Sequence, residues 1–339
     1  MSAADAAPAP AALPRPARDW LPLTLVPALA LAALPFFGDL AAWTTLTLAG
    51  LAMGVMIFLM ASGLTLVFGL MDVINFGHGV FISLGAYASL LVLGPLAGWA
   101  RADSLPLNLA LLLLCILAGM ALTALVGLLF ERVIVRPVYG SHLKQILVTM
   151  GGLIVAEQLI HAVWGASPIP VPLPESLRGA VVVGDAAVER YRIVALALGL
   201  AVYGLMHLVL NRTRIGLLIR AGVENAEMVE ALGYRIRRLF VAVFVAGSAL
   251  AGLGGVMWAF YRQTLTAGMG MDVMVLVFIV IIVGGLGSIG GCFIGALLVA
   301  LVANYVGFFA PKLALVSNIL VMALVLIWRP QGLFPVARR

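Results

Sequence analysis

Charge is what this chain has least of. Only 10% of its residues are Asp, Glu, Lys or Arg, against about 25% in a soluble domain. With 64% hydrophobic residues and a mean hydropathy of +1.17, a chain of 339 residues cannot cover its own outside in water. That excludes a soluble globule, and no nucleic-acid partner is expected. Cysteine is nearly missing too: Cys115 and Cys292 both lie in apolar runs and offer no disulfide framework. The 4 histidines are scattered, and no H-x-x-x-H or C-x-x-C pair occurs, so no metal site is expected. There is no G-x-x-x-x-G-K-[ST] loop, no Ser-His-Asp arrangement and no pair of carboxylates inside an apolar run. The chain is therefore expected not to be an enzyme. If it moves a solute with ATP, the hydrolysis must occur in another chain.

What the chain does have is long apolar runs. They cover about 20–37, 43–70, 79–99, 105–130, 145–164, 191–210, 239–260, 273–287, 292–310 and 313–328. The implied fold class is all-α, a polytopic transmembrane bundle of about 8–10 spans, with a lipid bilayer as its solvent. A break or re-entrant turn within 43–99 would leave the alternation intact. Residues 1–19, rich in Ala and Pro, read as a disordered tail, and 20–339 as the membrane domain. The run after Arg15 and Arg18 is long enough for a retained first span rather than a cleaved signal.

Basic residues set the orientation. Placing Arg132, Arg136 and Lys144 in the cytoplasm brings three other segments to the same side: the tail, the loop 211–238, and the end with Arg329, Arg338 and Arg339. Both termini are then cytoplasmic. Arg101, Arg178, Arg190, Arg192, Arg262 and Lys312 fall opposite. The only sizeable outside segment is 165–190, whose prolines forbid a regular helix and whose AVVVG run suits a short strand.

Gly285, Gly287 and Gly290 spell G-x-G-x-x-G after a β-branched run. A dinucleotide turn needs a soluble parallel sheet and an acid about 20 residues later. The segment YVGFFAP at 305–311 has no acid, and the flanks are apolar spans, so a tight turn between two spans is the better reading.

Three constellations stand out. Asp72, Asn75 and His78 lie among Gly69, Gly77, Gly79 and Gly85. They suit either a broken helix lining a path or a polar turn between spans. Glu157 lies about 18 Å into its span at helical rise and shares a face with His161. It can face a path, though a local hydrogen bond to His161 or Gln158 is the preferred reading. The loop 211–238 carries six Arg and three Glu, with a short helix expected from Glu224 to Leu232 and a stop at Gly233. Glu224, Glu227 and Glu230 form one stripe; Val223, Ala226, Val229 and Leu232 lie along another side. Such a helix suits a groove on a cytoplasmic partner.

Taken together, GLTLVFGLMDVINFGHGVFISLGAY, ERVIVRPVYGSHLKQILVTMGGLIV, RAGVENAEMVEALGY with AVFVAGSALAGLGGVMWAFY, and VGGLGSIGGCFIGALLVAL resemble one family in that order over about 43–310. The family is the permease subunit of high-affinity branched-chain amino acid ABC transporters, of the LivH type. The resemblance implies an ABC importer permease in the bacterial inner membrane. It implies pairing with a second related permease of M type, two cytoplasmic ATPase subunits that bind ATP and Mg, and a periplasmic substrate-binding protein. It makes Asp72, Asn75, Gly77, His78, Gly79 and Glu157 the expected path or gating residues. Glu224, Glu227, Glu230, Ala231, Gly233 and Arg235 become the expected ATPase-coupling residues, although their spacing departs from the general E-A-A-x-x-x-G signature. Urea, amides or small carboxylates are alternative cargoes, and an ion-coupled secondary transporter is the rival class.

Overall fold

A computed structural model describes residues 20–224 and 226–334. The tail 1–19 and the terminal Arg338 and Arg339 lie outside the described residues. In chain order the helices are α1 (Leu21–Phe37), α2 (Leu40–Met71), α3 (His78–Leu93), α4 (Ala97–Arg101), α5 (Leu105–Phe130), α6 (His142–Trp164) and α7 (Arg190–Arg212). There follow α8 (Arg214–Glu224), α9 (Ala226–Ala231), α10 (Ile236–Arg262), α11 (Met269–Gly284), α12 (Ile289–Phe309) and α13 (Ala314–Trp328). Each expected apolar run becomes one main helix. Seven of the described helical segments are long and apolar enough to cross a membrane, α13 counted with the 3-10 turn Pro311–Leu313 that leads into it, and α1, α3 and α11 are apolar but shorter. The fold is a polytopic helical bundle.

The helices pack through small side chains, since apolar burial cannot drive helices together within lipid. Gly119, Thr123 and Gly127 of α5 meet Val256, Gly252 and Ser248 of α10 in reverse order, so the two run antiparallel. By the same criterion α2 runs antiparallel to α12, with Gly50 against Leu301 and Gly54 against Leu297. Helix α2 is also antiparallel to α10: Met60 lies against Gly254 and Gly63 against Gly247. Helices α2, α3, α10 and α12 form the buried centre, while α6, α7 and α13 expose most of their surface.

Two ends of the bundle result. The basic face gathers the end of α2, the end of α5, the starts of α6 and α10, and the turn between α11 and α12. On the opposite face, 165–190 forms a hairpin of β2 (Ala180–Val183) and β3 (Ala186–Glu189), as the AVVVG run suggested. The buried Asn108 of α5 fastens this loop. Its Oδ1 accepts from the Ser176 N–H (2.8 Å) and hydroxyl (2.7 Å), and its Nδ2 donates to the Trp99 carbonyl (2.7 Å).

The glycine motif is a turn between two helices. Gly285 (φ 102°) and Gly287 (φ 82°) take left-handed backbone that side chains rarely adopt, and Ser288 caps α12 by accepting from the Gly291 N–H (3.1 Å). No sheet adjoins it among the described residues.

Candidate functional site

Helix α2 stops at Asp72, whose φ of 51° ends the helical path. The chain then doubles back. The imidazole of His78, at the start of α3, lies 2.9 Å from the Met60 carbonyl, far up α2. The connecting residues 73–77 thus run into the bundle outside the helical hydrogen-bond ladder, and their backbone groups need other partners. One face of α6 supplies them. The Ile74 N–H donates to Gln145 Oε1 (3.2 Å) and the Phe76 N–H to Thr149 Oγ1 (3.1 Å). His142 Nε2 lies 3.6 Å from Asp72 Oδ2 at the surface. Positions 142, 145 and 149 follow helical spacing, so one stripe of α6 braces the break. Sequence reading passed over Gln145 and Thr149 as ordinary span residues; two amide- or hydroxyl-bearing side chains on one face were the available signal.

Within the break, Asn75 is buried, and neither its Oδ1 nor its Nδ2 has a hydrogen-bond partner among the described residues. Such an amide costs about 1–3 kcal/mol unless something else binds it. A Cβ on Gly77 would strike the Phe130 ring. The His78 ring is buried between α2 and α3 and bonds to backbone, so it ties the two helices together.

A second break has the same outline. Helix α10 ends at Gln263 (φ 54°), which with Asp72 completes the set of non-glycine residues with positive φ among those described. Residues 263–268 lead into α11. The spacing D-V-I-N-F-G-H-G at 72–79 matches Q-T-L-T-A-G-M-G at 263–270. The hydrogen bonds match as well: His78 N–H to Asn75 O (3.3 Å) corresponds to Met269 N–H to Thr266 O (3.2 Å). Val80 N–H to Gly77 O (3.0 Å) corresponds to Met271 N–H to Gly268 O (3.0 Å). Helices α3 and α11 then meet near their starts. Gly79 and Gly270 lie backbone to backbone, each occupying the space where the other's Cβ would go. The Ser83 hydroxyl accepts from the Gly270 N–H (3.0 Å) and donates to the Ala267 carbonyl (3.4 Å). The 16-residue lengths of α3 and α11 follow from starting after such breaks.

Glu157 corrects one expectation. Its side chain makes no hydrogen bond to His161 or Gln158 among the described residues. Instead the carboxylate crosses to α11, with Oε1 3.3 Å from the point a Gly268 Cβ would occupy. Gly268 is the N-cap of α11, where the helix dipole favours a negative charge. Helical spacing reveals local pairs and cannot show a partner on another helix.

The segment 211–238 carries the short helix expected in it. The described residues hold α8 and, where a short helix was expected over Glu224–Leu232, α9. Its stop is where expected: Gly233 has φ 87°, and the Tyr234 N–H reaches back to the Val229 carbonyl (3.2 Å). Glu227, Glu230, Ala231, Gly233 and Arg235 are exposed. Val229 is buried and Leu232 is 70% exposed. Exposed Met228, Leu232 and Tyr234 therefore stand among the acids. Glu224 is the last residue of α8.

Another acid escaped sequence reading. Glu131, just past α5, is buried, and its Oε1 accepts from the Tyr139 hydroxyl (2.7 Å). Burial, then the hydrogen bond and charge of Glu131, push the Tyr139 phenol above its usual range, so it stays a neutral donor.

Comparison with known proteins agrees with this architecture. Residues 46–328 match the family described as branched-chain amino acid transport system, permease component. The chain is similar to the high-affinity branched-chain amino acid transport system permease protein BraD of Pseudomonas aeruginosa, at 28% identity over 84% of this chain and 93% of the relative. It is 25% identical to the permease protein LivH of Escherichia coli K12, over 84% of this chain and 92% of that one. A probable LivH of Methanocaldococcus jannaschii is 25% identical over 75% of this chain and 78% of the relative. No solved structure matches. With the family match spanning nearly the whole bundle and both breaks, the chain is a member of the branched-chain amino acid transport permease family.

Proposed function

We propose that the chain forms one half of the translocation path of an ATP-driven importer for branched-chain or closely related amino acids. It works in the bacterial cytoplasmic membrane, with the basic face and both termini in the cytoplasm, beside a second related permease. Two ATPase subunits, which bind ATP and Mg, dock below, and a binding protein delivers substrate from the opposite face. The observation that carries this reading is the pair of helix breaks whose following helices meet at Gly79 and Gly270. Broken helices at matching places in two halves are how transporters build a gate without exposing backbone to lipid.

In this mechanism α9 is the coupling element. Exposed Glu227 and Glu230 beside Met228 and Leu232 offer a partner groove both charge and apolar contact. ATP-driven closure of the ATPases carries α9 with it, and α10, which follows directly, moves relative to α2. Asp72, Asn75, Gly77, His78 and Gly79 belong to the gate that this motion opens. Glu157, beside the α11 start, lies at its other end.

The ion-coupled alternative needs an acid at the centre of the bundle. Asp72 faces solvent with about half its side chain exposed, and Glu157 is only partly buried. Neither placement suits a proton carrier.

The test is gentle-detergent isolation of the tagged chain from its own membranes, followed by uptake in vesicles refilled with ATP. Recovery of two ATPases and a second permease, with leucine uptake that survives a protonophore, supports the proposal. Isolation of the chain alone, or uptake that collapses with the proton gradient while ATP persists, overturns it. Competition by urea, amides and small carboxylates decides the cargo.

A further inference from the structure

The basic face holds a second charged feature, where the end of the segment 211–238 meets the end of α5. Beyond Phe130 the helical path widens into one π-turn, Glu131–Val135, then tightens over Arg136–Val138. Arg132 and Arg136 from this turn meet Arg237, Arg238 and Val241 of α10 around a pocket of about 250 Å3, with Glu131 also in its wall. None of the four guanidinium groups has an ion-pair or hydrogen-bond partner among the described residues.

Arginines at helix ends commonly anchor a membrane protein by standing apart in water. Here they converge from two elements on one concavity, which is the geometry for a doubly contacted phosphate. A second observation concerns Glu131. It is 1% exposed, and its Oε2 has no partner among the described residues. A buried carboxylate oxygen in the pocket wall calls for a hydroxyl or N–H donor from whatever fills the pocket. A third is the surface below. Leu125, Leu129 and Val133 are 58%, 54% and 70% exposed and lie one turn apart, forming an apolar track that ends at the arginines.

We propose that this pocket binds the headgroup of an anionic phospholipid with a glycerol-type head. The arginines hold the phosphate, Glu131 Oε2 accepts from a headgroup hydroxyl, and an acyl chain lies along Leu125, Leu129 and Val133. Charge complementarity selects an anion, the unpartnered carboxylate selects a hydroxyl-bearing one, and the apolar track selects a tailed one. An acidic segment of a soluble partner meets the first condition but not the third.

The test is native mass spectrometry of the full chain with its bound partners, titrated with phosphatidylglycerol and phosphatidylcholine of the same acyl chains. Wild type is expected to retain phosphatidylglycerol by about ten-fold over phosphatidylcholine. Arg132→Gln with Arg136→Gln, or Arg237→Gln with Arg238→Gln, should erase that preference. Should either pair fail to assemble, Arg132→Lys with Arg136→Lys keeps the charge and should lower the preference without erasing it. Soluble glycerol phosphate should not displace the lipid. Equal retention of both lipids by wild type, or a preference unchanged in the variants, overturns the proposal. Full displacement by glycerol phosphate overturns it in favour of a soluble phosphate ligand. A preference seen only after the ATPases are stripped away overturns it in favour of a protein contact.

Discussion

The two breaks, 72–77 and 263–268, have the same backbone outline and are held by different means. The first lies among side chains: Gln145 and Thr149 of α6 take the N–H groups of Ile74 and Phe76. The second is held largely by main chain, with the Ser83 hydroxyl donating to the Ala267 carbonyl. There β1 (Ile169–Pro170) pairs antiparallel with β4 (Thr264–Leu265), and the Val171 N–H donates to the Gln263 carbonyl (3.0 Å). A side-chain brace depends on the position of one helix. A main-chain brace depends on a loop that Asn108 already fastens to α5. The first break is thus free to respond to α6 and the basic face, and the second is a fixed counterpart. The polar residues follow the same division, with Asp72, Asn75 and His78 in the first break and none of them matched by a charged residue in the second.

The comparison breaks most sharply at the shared contact. Gly79→Val and Gly270→Val each force a side chain into the opposing backbone and should each cost about 3 kcal/mol. Thermal unfolding in detergent followed by size-exclusion chromatography reads the loss, and a large effect at only one of the two sites would deny the equivalence. Next in size, Gln145→Leu and Thr149→Val each strand a backbone N–H and should cost about 1–3 kcal/mol. Hydrogen exchange should rise at 74–78 and not at 264–270; a uniform rise would mean that the braces are not separate. Val171→Pro removes one donor to the second break at about 1 kcal/mol, with faster exchange confined to 264–270. The smallest effect is expected from Asp72→Asn. It weakens an exposed pairing with His142 and keeps a residue that tolerates left-handed backbone, so stability should change by less than about 1 kcal/mol. Asp72→Val, by contrast, should strain the turn.

How much of this was legible in the sequence varied with the range of the forces involved. The ten apolar runs, the stop at Gly233 and the turn at Gly285–Gly287 depend on local composition and backbone freedom, and each appears where the sequence puts it. The first break was suggested by its polar residues. The second was not, because Thr264, Leu265, Thr266 and Ala267 look like the rim of any span; only the G-x-G spacing shared with 77–79 marks it. The brace from Gln145 and Thr149, the reach of Glu157 to α11 and the burial of Glu131 all depend on contacts between helices. Periodicity within one helix carries no record of those.

The contact between Gly79 and Gly270 has a mechanical consequence. Interlocked side chains make a toothed joint, which moves in steps and resists turning. Two bare backbones touching at a point make a smooth bearing. The Ser83 hydroxyl, bonded to both Gly270 and Ala267, keeps the surfaces from sliding apart. Rotation about that point is the motion the contact resists least, and α3 and α11 would carry a turn at the bearing away from it.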